Sequence, residues 1–226
     1  MPYDRKFFFD NVRAKPFNGS LTQAQVDGMN YLLLVWEREF EKNNPNDGTM
    51  WLAYALATFF WETGQTMQPI EEYGKGSGKS YGKPTGPYNQ AYYGRGHVQL
   101  TWEANYKNGQ QYLKDRYGKT VTIYPNASHM LHNETSALVS YDGMVYGWFT
   151  GVGLPKYFKK NVIEDPVNAR RIVNGTDQAQ TIANFYWQFK AALKQIPESI
   201  ETVEAQLETM LPNLPKHAPM PEPKAE

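Results

Sequence analysis

The chain has no cysteine. That removes disulfides, thiol nucleophiles and thiolate-ligated zinc together, and it fits folding in a reducing compartment. It has no excess of charge either. Its 23 basic residues balance 23 acidic ones, so the electrostatic footprint of a nucleic-acid binder is missing. Long apolar runs are also lacking. Only Phe7-Phe8-Phe9 follows the charged start, too short for the core of a secretory signal. Nothing approaches the roughly 18–20 apolar residues of a membrane-spanning helix. Membrane insertion is therefore not expected.

Aromatic side chains are plentiful. Sixteen Tyr and six Trp stand in 226 residues that are 41% apolar, enough for a sizeable core in one domain. Flat rings suit sugar stacking, although most aromatics in any domain are simply core.

Helical periodicity organises much of the chain. Ser20-Leu21-Thr22-Gln23 has the form of a capping box. Val26, Met29, Leu33, Trp36 and Phe40 follow at helical spacing, predicting a helix over 21–42. A more apolar helix is expected over 49–63, with Glu62 at its C-terminal end. Residues 74–90 hold five Gly and two Pro, the makeup of a loop long enough to be functional. Further helices are expected over 101–117, 134–148, 164–173 and 176–195, and Thr120-Val121-Thr122-Ile123-Tyr124 is the best strand candidate. Residues 1–198 are read as one domain. A short helix over 199–211 follows, then a disordered tail over 212–226 with five prolines.

The chemistry concentrates between Trp61 and Thr101. Trp61-Glu62-Thr63-Gly64 precedes Glu71-Glu72-Tyr73-Gly74, and then comes Tyr92-Tyr93-Gly94-Arg95-Gly96-His97-Val98-Gln99-Leu100-Thr101. Cleaving a bond between sugars needs one carboxylic acid to protonate the leaving oxygen and a carboxylate on the opposite face. Glu62 beside Phe60 and Trp61 is a candidate acid, because an apolar surround holds a proton to higher pH. Glu71 and Glu72 follow Pro69, which ends any helical continuation. Neighbouring side chains in extended backbone diverge, so only one of the two is expected to face Glu62. An inverting pair stands roughly 6.5–9.5 Å apart. A helix-face Glu62 and a solvated acidic turn at 71–72 are the plainer alternatives.

Four blocks, covering about 62–175, resemble the family-19 glycoside hydrolases, which include plant-type chitinases and many bacteriophage endolysins. Trp61-Glu62-Thr63 resembles that family's His-Glu-Thr. The segment 92–101 resembles its Tyr-Tyr-Gly-Arg-Gly-x-x-Gln-Leu-Thr/Ser signature, continued by Asn105-Tyr106. Gly147-Trp148-Phe149 and Arg171-Ile172-Val173-Asn174-Gly175 resemble two later segments. The short interval from Glu62 to the second acid looks most like the endolysin branch.

The resemblance implies a mainly α, lysozyme-like, bilobed domain with a cleft and an inverting mechanism. Glu62 would be the general acid. The base would be Glu72 by the Pro-Ile-x-Glu-Tyr pattern, with Glu71 as the alternative. Gln99, Thr101, Asn105 and Asn174 would hold sugar or water, and Tyr93 and Arg95 would shape the cleft. Trp61 departs from the family's His, which keeps open a glycan binder without activity.

The polysaccharide partner implied is peptidoglycan, with chitin as the alternative, and a virion tail-associated lysin is a third reading. A monomer made in a bacterial host cytoplasm, acting on the wall after release, is expected. No cofactor is expected. His129, His132 and Glu134 make a poor zinc set, so no metal is expected either. The glycosylation-like triplets at Asn18, Asn126, Asn133 and Asn174 are read as coincidence.

Overall fold

The computed structural model describes residues 2–44, 46–118 and 122–196. Six α-helices, α1 (Arg5–Ala14), α2 (Gln23–Glu39), α3 (Gly48–Glu62), α4 (Glu103–Tyr117), α5 (Asn133–Tyr146) and α6 (Ala179–Ala192), dominate it. Two small antiparallel pairs complete it: β1 (Ile70–Glu71) with β2 (Arg95–Gly96), and β3 (Phe158–Lys159) with β4 (Ile163–Glu164). The expected helix-rich architecture with little sheet is what the chain adopts.

Helix α3 is the axis of the core. Residues 50–60 are buried on every side, the mark of a helix with no solvent face. It packs on α6, while α2 packs on α5 and α1 on α6. Its end is defined by backbone chemistry. Gly64 takes φ +57°, its N–H donates to Trp61 O and that of Gln65 donates to Phe60 O. This paired pattern is a Schellman cap, which only a residue tolerant of left-handed backbone closes cheaply. Thr63 Oγ1 donates to Phe59 O and accepts from Met67 N, folding the next turn under the helix.

That turn is clamped onto α2. Gln25 Nε2 reaches Gln65 O at 3.0 Å, and Gln68 Nε2 donates to Ala24 O. Gly28 lets it approach: a methyl there would lie 2.1 Å from Met67 O. The clamp delivers the chain to β1, where Ile70 pairs with Gly96 and Glu71 with Arg95.

Several expectations need correction. The capping box is Thr22 with Gln25, two residues later than expected, because Asn18 and Gly19 occupy left-handed backbone and Ser20 N closes a turn on Phe17 O. No α-helix forms over 164–173. Ile163–Glu164 joins a hairpin, Asp165 accepts from Asn168 N, and a short 3-10 helix spans Asn168–Ile172. Thr122, Ile123 and Tyr124 form no strand, and Thr120-Val121 lie outside the described residues. So do the helix and tail expected over 199–226. Helix α1, considered in the sequence only as a possible secretory signal, is capped by Asp4, and a fork of Arg5 on Glu37 at 2.6 Å anchors it.

Candidate active site

Glu72 lies just beyond β1. Its N–H donates to Gly94 O at 2.7 Å, and Gly94 N donates back to Glu72 Oε2 at 3.0 Å. Tyr81, from the Gly-rich loop, donates its hydroxyl to Glu72 Oε1 at 3.0 Å. The carboxylate raises the pKa of that phenol, so Tyr81 stays a donor.

Extended backbone sends Glu71 the other way. Lys75 Nζ sits 2.8 Å from its Oε2, Tyr93 OH donates to Oε1, and Arg95 Nε is 3.6 Å away. Lys75, then Tyr93, hold the Glu71 carboxyl below its ordinary range. Arg95 itself is buried, lies over the Tyr93 ring at 3.5 Å and donates to the carbonyls of Ala91 and Tyr93.

Gly94 is where the polar groups meet. A methyl there would lie 3.0 Å from Gln99 Oε1, 3.3 Å from Glu72 Cβ and 3.3 Å from Thr101 Oγ1. Gln99 spends its amide hydrogens on Ile70 O and Gly96 O, which leaves Oε1 aimed at this point. Thr101 Oγ1 donates to Gln99 O at 2.9 Å, and Asn105 Nδ2 donates to Thr101 O at 2.8 Å. Asn105 therefore braces the hairpin through its amide hydrogens.

Glu62 belongs to a second cluster. Arg170 Nη1 donates to its Oε1 at 2.6 Å, and Arg170 is only 2% exposed. Arg170 Nε also binds Asp177 O, and its own carbonyl accepts from Asn174 N. Asn174 is exposed, its Oδ1 closing a local turn on Gly175 N. The expected apolar setting for Glu62 is thus corrected. Trp61 is 38% exposed, and Phe60 turns into the core against Phe17, Phe185 and Phe189. The nearest group is a cation, and it also suits the negative end of α3.

The structure thus gathers Glu71, Glu72, Tyr93, Arg95, Gln99, Thr101 and Asn105 about one hairpin, and ties Glu62 and Asn174 to Arg170. The sequence patterns do not single out Arg170, Tyr81 or Trp102. Trp102 is 50% exposed at φ +78°, ψ 132°, a conformation costing a bulky residue about 1–3 kcal/mol. His97 is wholly buried, with Nδ1 2.8 Å from Ser136 Oγ and burial pushing its pKa down to about 3. It is part of the scaffold under the turn.

Among the described residues, no group of three or more His, Cys, Asp or Glu could hold a metal, and no helix is long and apolar enough to cross a membrane. A concavity of about 290 Å³ over β3–β4 shares no residue with either cluster, and its Glu164 is already bound by Tyr186 and Lys190.

No family model and no curated relative matches the sequence. Two solved structures are similar. Chitinase C from Streptomyces griseus HUT6037 is 21% identical over 84% of this chain and 91% of that one, with a TM-score of 0.49. A mutant of chitinase C is 18% identical over 86% and 95%, with a TM-score of 0.45. Similarity of that depth assigns neither family nor activity.

Proposed function

We propose that the protein hydrolyses β-1,4 bonds of an N-acetylhexosamine glycan with inversion, and that its substrate is bacterial peptidoglycan. The observation that carries this reading is one cluster: Tyr81 OH and Gly94 N fix the Glu72 carboxylate, while Gln99 Oε1 and Thr101 Oγ1 come within 3.0–3.3 Å of where a methyl on Gly94 would lie. A fixed carboxylate with an amide oxygen and a hydroxyl in the hairpin beside it is a set that suits a water molecule and a sugar amide. Glu72 is the base, since Glu71 is committed to Lys75 and Tyr93 and has lost basicity to them.

Glu62 is the acid. Arg170 occupies Oε1, so the transferable proton is carried on Oε2, which has no partner among the described residues. In the reaction Oε2–H protonates the glycosidic oxygen as the C1–O bond breaks. Glu72 takes a proton from the water that forms the new C1–O bond on the opposite face. The short interval between Glu62 and Glu72 favours the wall polymer over chitin. The protein would meet that polymer after release from the cell that makes it.

Digestion of purified sacculi tests this reading. Soluble fragments with one reducing-end sugar, released first as the inverted anomer, are expected. Turnover of soluble chitin oligomers with sacculi untouched would move the substrate to chitin. One observation favours a second reading, a glycan binder without turnover: Glu62 pairs with Arg170 at 2.6 Å and lacks the apolar surround expected of a general acid. Sacculi bound but never solubilised would mark it.

A further inference from the structure

Beside Glu72 stands an aromatic pair that the proposed chemistry does not use. Tyr81 donates its hydroxyl to Glu72 Oε1, and its ring meets the edge of Trp102 with centroids 4.9 Å apart and planes at 77°. Backbone bonds hold the two in register. Tyr92 N donates to Tyr81 O at 3.0 Å, and Trp102 N donates to Tyr92 O at 2.9 Å.

Trp102 is the odd member. It is the residue just before α4, half exposed, at a positive φ that bulky side chains rarely adopt. A large apolar ring held half in water by strained backbone gives up much of the burial that such a ring offers a fold, so a folding role alone accounts poorly for it. Two residues earlier in the chain, Leu100 is buried. The strain therefore turns a ring outward at the end of a segment that otherwise points inward.

We infer that Trp102, braced by Tyr81, is a stacking platform for a pyranose ring bound next to Glu72. The apolar face of a sugar lies on the indole, while its hydroxyls and acetamido group stay free for polar partners such as Gln99 Oε1. This inference rests on the glycan reading above and adds the sugar position nearest the base. It also explains the loop over 74–90, which carries Tyr81 to Trp102 and Glu72 at once.

The test is calorimetric binding of an N-acetylglucosamine hexamer and of solubilised, uncrosslinked peptidoglycan strands, with turnover silenced by Glu62→Gln. In that background Trp102→Ala should weaken binding by about tenfold or more, the loss of one aromatic contact, and Trp102→Phe by about threefold or less. Tyr81→Phe, which keeps the ring and loses the hydroxyl, should leave affinity within about twofold. In the otherwise native enzyme the same Tyr81→Phe should lower turnover. Trp102→Ala binding as tightly as its parent, with an unchanged melting temperature, overturns the platform and leaves the hydrolase reading standing. If the silenced parent binds neither glycan, both fall. A Trp102→Ala protein that melts early yet binds normally shows a brace for the loop and likewise overturns the platform.

Discussion

Arg170 Nη1 lies 2.6 Å from Glu62 Oε1, joining a 3-10 turn to the end of the central helix across 108 residues of sequence. Both groups are largely withdrawn from water, with side chains 2% and 16% exposed. Breaking such a pair from one side leaves an uncompensated charge, at a cost of about 3–5 kcal/mol when burial is complete. Glu62 keeps some solvent, so Arg170→Met is expected to lose about 2–3 kcal/mol in urea melts. The double substitution with Glu62→Gln should lose less than the sum of the two.

Glu62→Gln alone should stay folded, at a stability cost from the unpaired Arg170 charge, and fail to hydrolyse. The amide keeps an oxygen for Arg170 but has no acidic proton. General acid catalysis contributes about 10²–10⁴-fold, so residual turnover of about 1% or less is expected. Retention of half the wild-type rate in a sacculus assay would remove Glu62 from the mechanism.

Glu71 and Glu72 should separate cleanly. Glu72→Gln is expected to reduce turnover by about a hundredfold or more, as loss of a base does. Glu71→Gln should leave turnover near wild type at neutral pH and alter the acid limb of stability instead. The folded-state pKa of Glu71 is depressed by Lys75 and Tyr93. Its contribution is therefore present above the unfolded carboxyl pKa and fades as pH falls through the lower folded value. Equal mild losses of turnover in both variants would mean that neither is the base.

What could be read from the sequence follows interaction range. The core helix and the turn signature at 92–101 are local patterns of apolar spacing and glycine, and they place Glu62 at a helix end and Gln99 in a turn. Arg170 escaped because its meaning depends on a partner 108 positions away. The helix start shifted because Ser20/Gln23 and Thr22/Gln25 present the same hydroxyl-to-amide spacing, and only the Phe17–Ser20 turn decides between them. Strands of two residues cannot display a period of two. β1 and β2 could not be seen before they paired. Trp102 looked like one more aromatic because backbone strain leaves no trace in composition.

Gly28 gives a prediction that couples packing to activity. Glycine inside a helix costs roughly 1 kcal/mol relative to alanine, so Gly28→Ala would stabilise α2 if nothing lay against it. Met67 O would instead be 2.1 Å from the new methyl, and Gln68 Nε2 2.6 Å from it. A carbonyl in a turn pinned by Thr63 and Gln25 has little room to retreat. A net loss of about 1–3 kcal/mol is expected. The displaced turn leads straight into Glu71 and Glu72, so turnover should fall even where the variant is fully folded. A more stable, fully active Gly28→Ala protein would contradict the clamp.

His97 is expected to set the acid limit of the fold. Its ring is wholly buried against Phe59, 5.4 Å between centroids, with Nδ1 on Ser136 Oγ. Burial pushes its pKa from 6.5 to about 3. Between those values the unfolded chain holds a proton that the folded chain refuses, so stability rises with pH across that window and falls as the solution is acidified. One proton corresponds to a slope of about 1.4 kcal/mol per pH unit. His97→Asn keeps a polar atom near Ser136 but cannot titrate. It should be less stable at neutral pH, from the space left beside Phe59, and its stability should depend on pH less steeply by about one proton. Urea melts at intervals from pH 3 to 7 measure both slopes. Parallel slopes in the two proteins would show that another group drives acid unfolding.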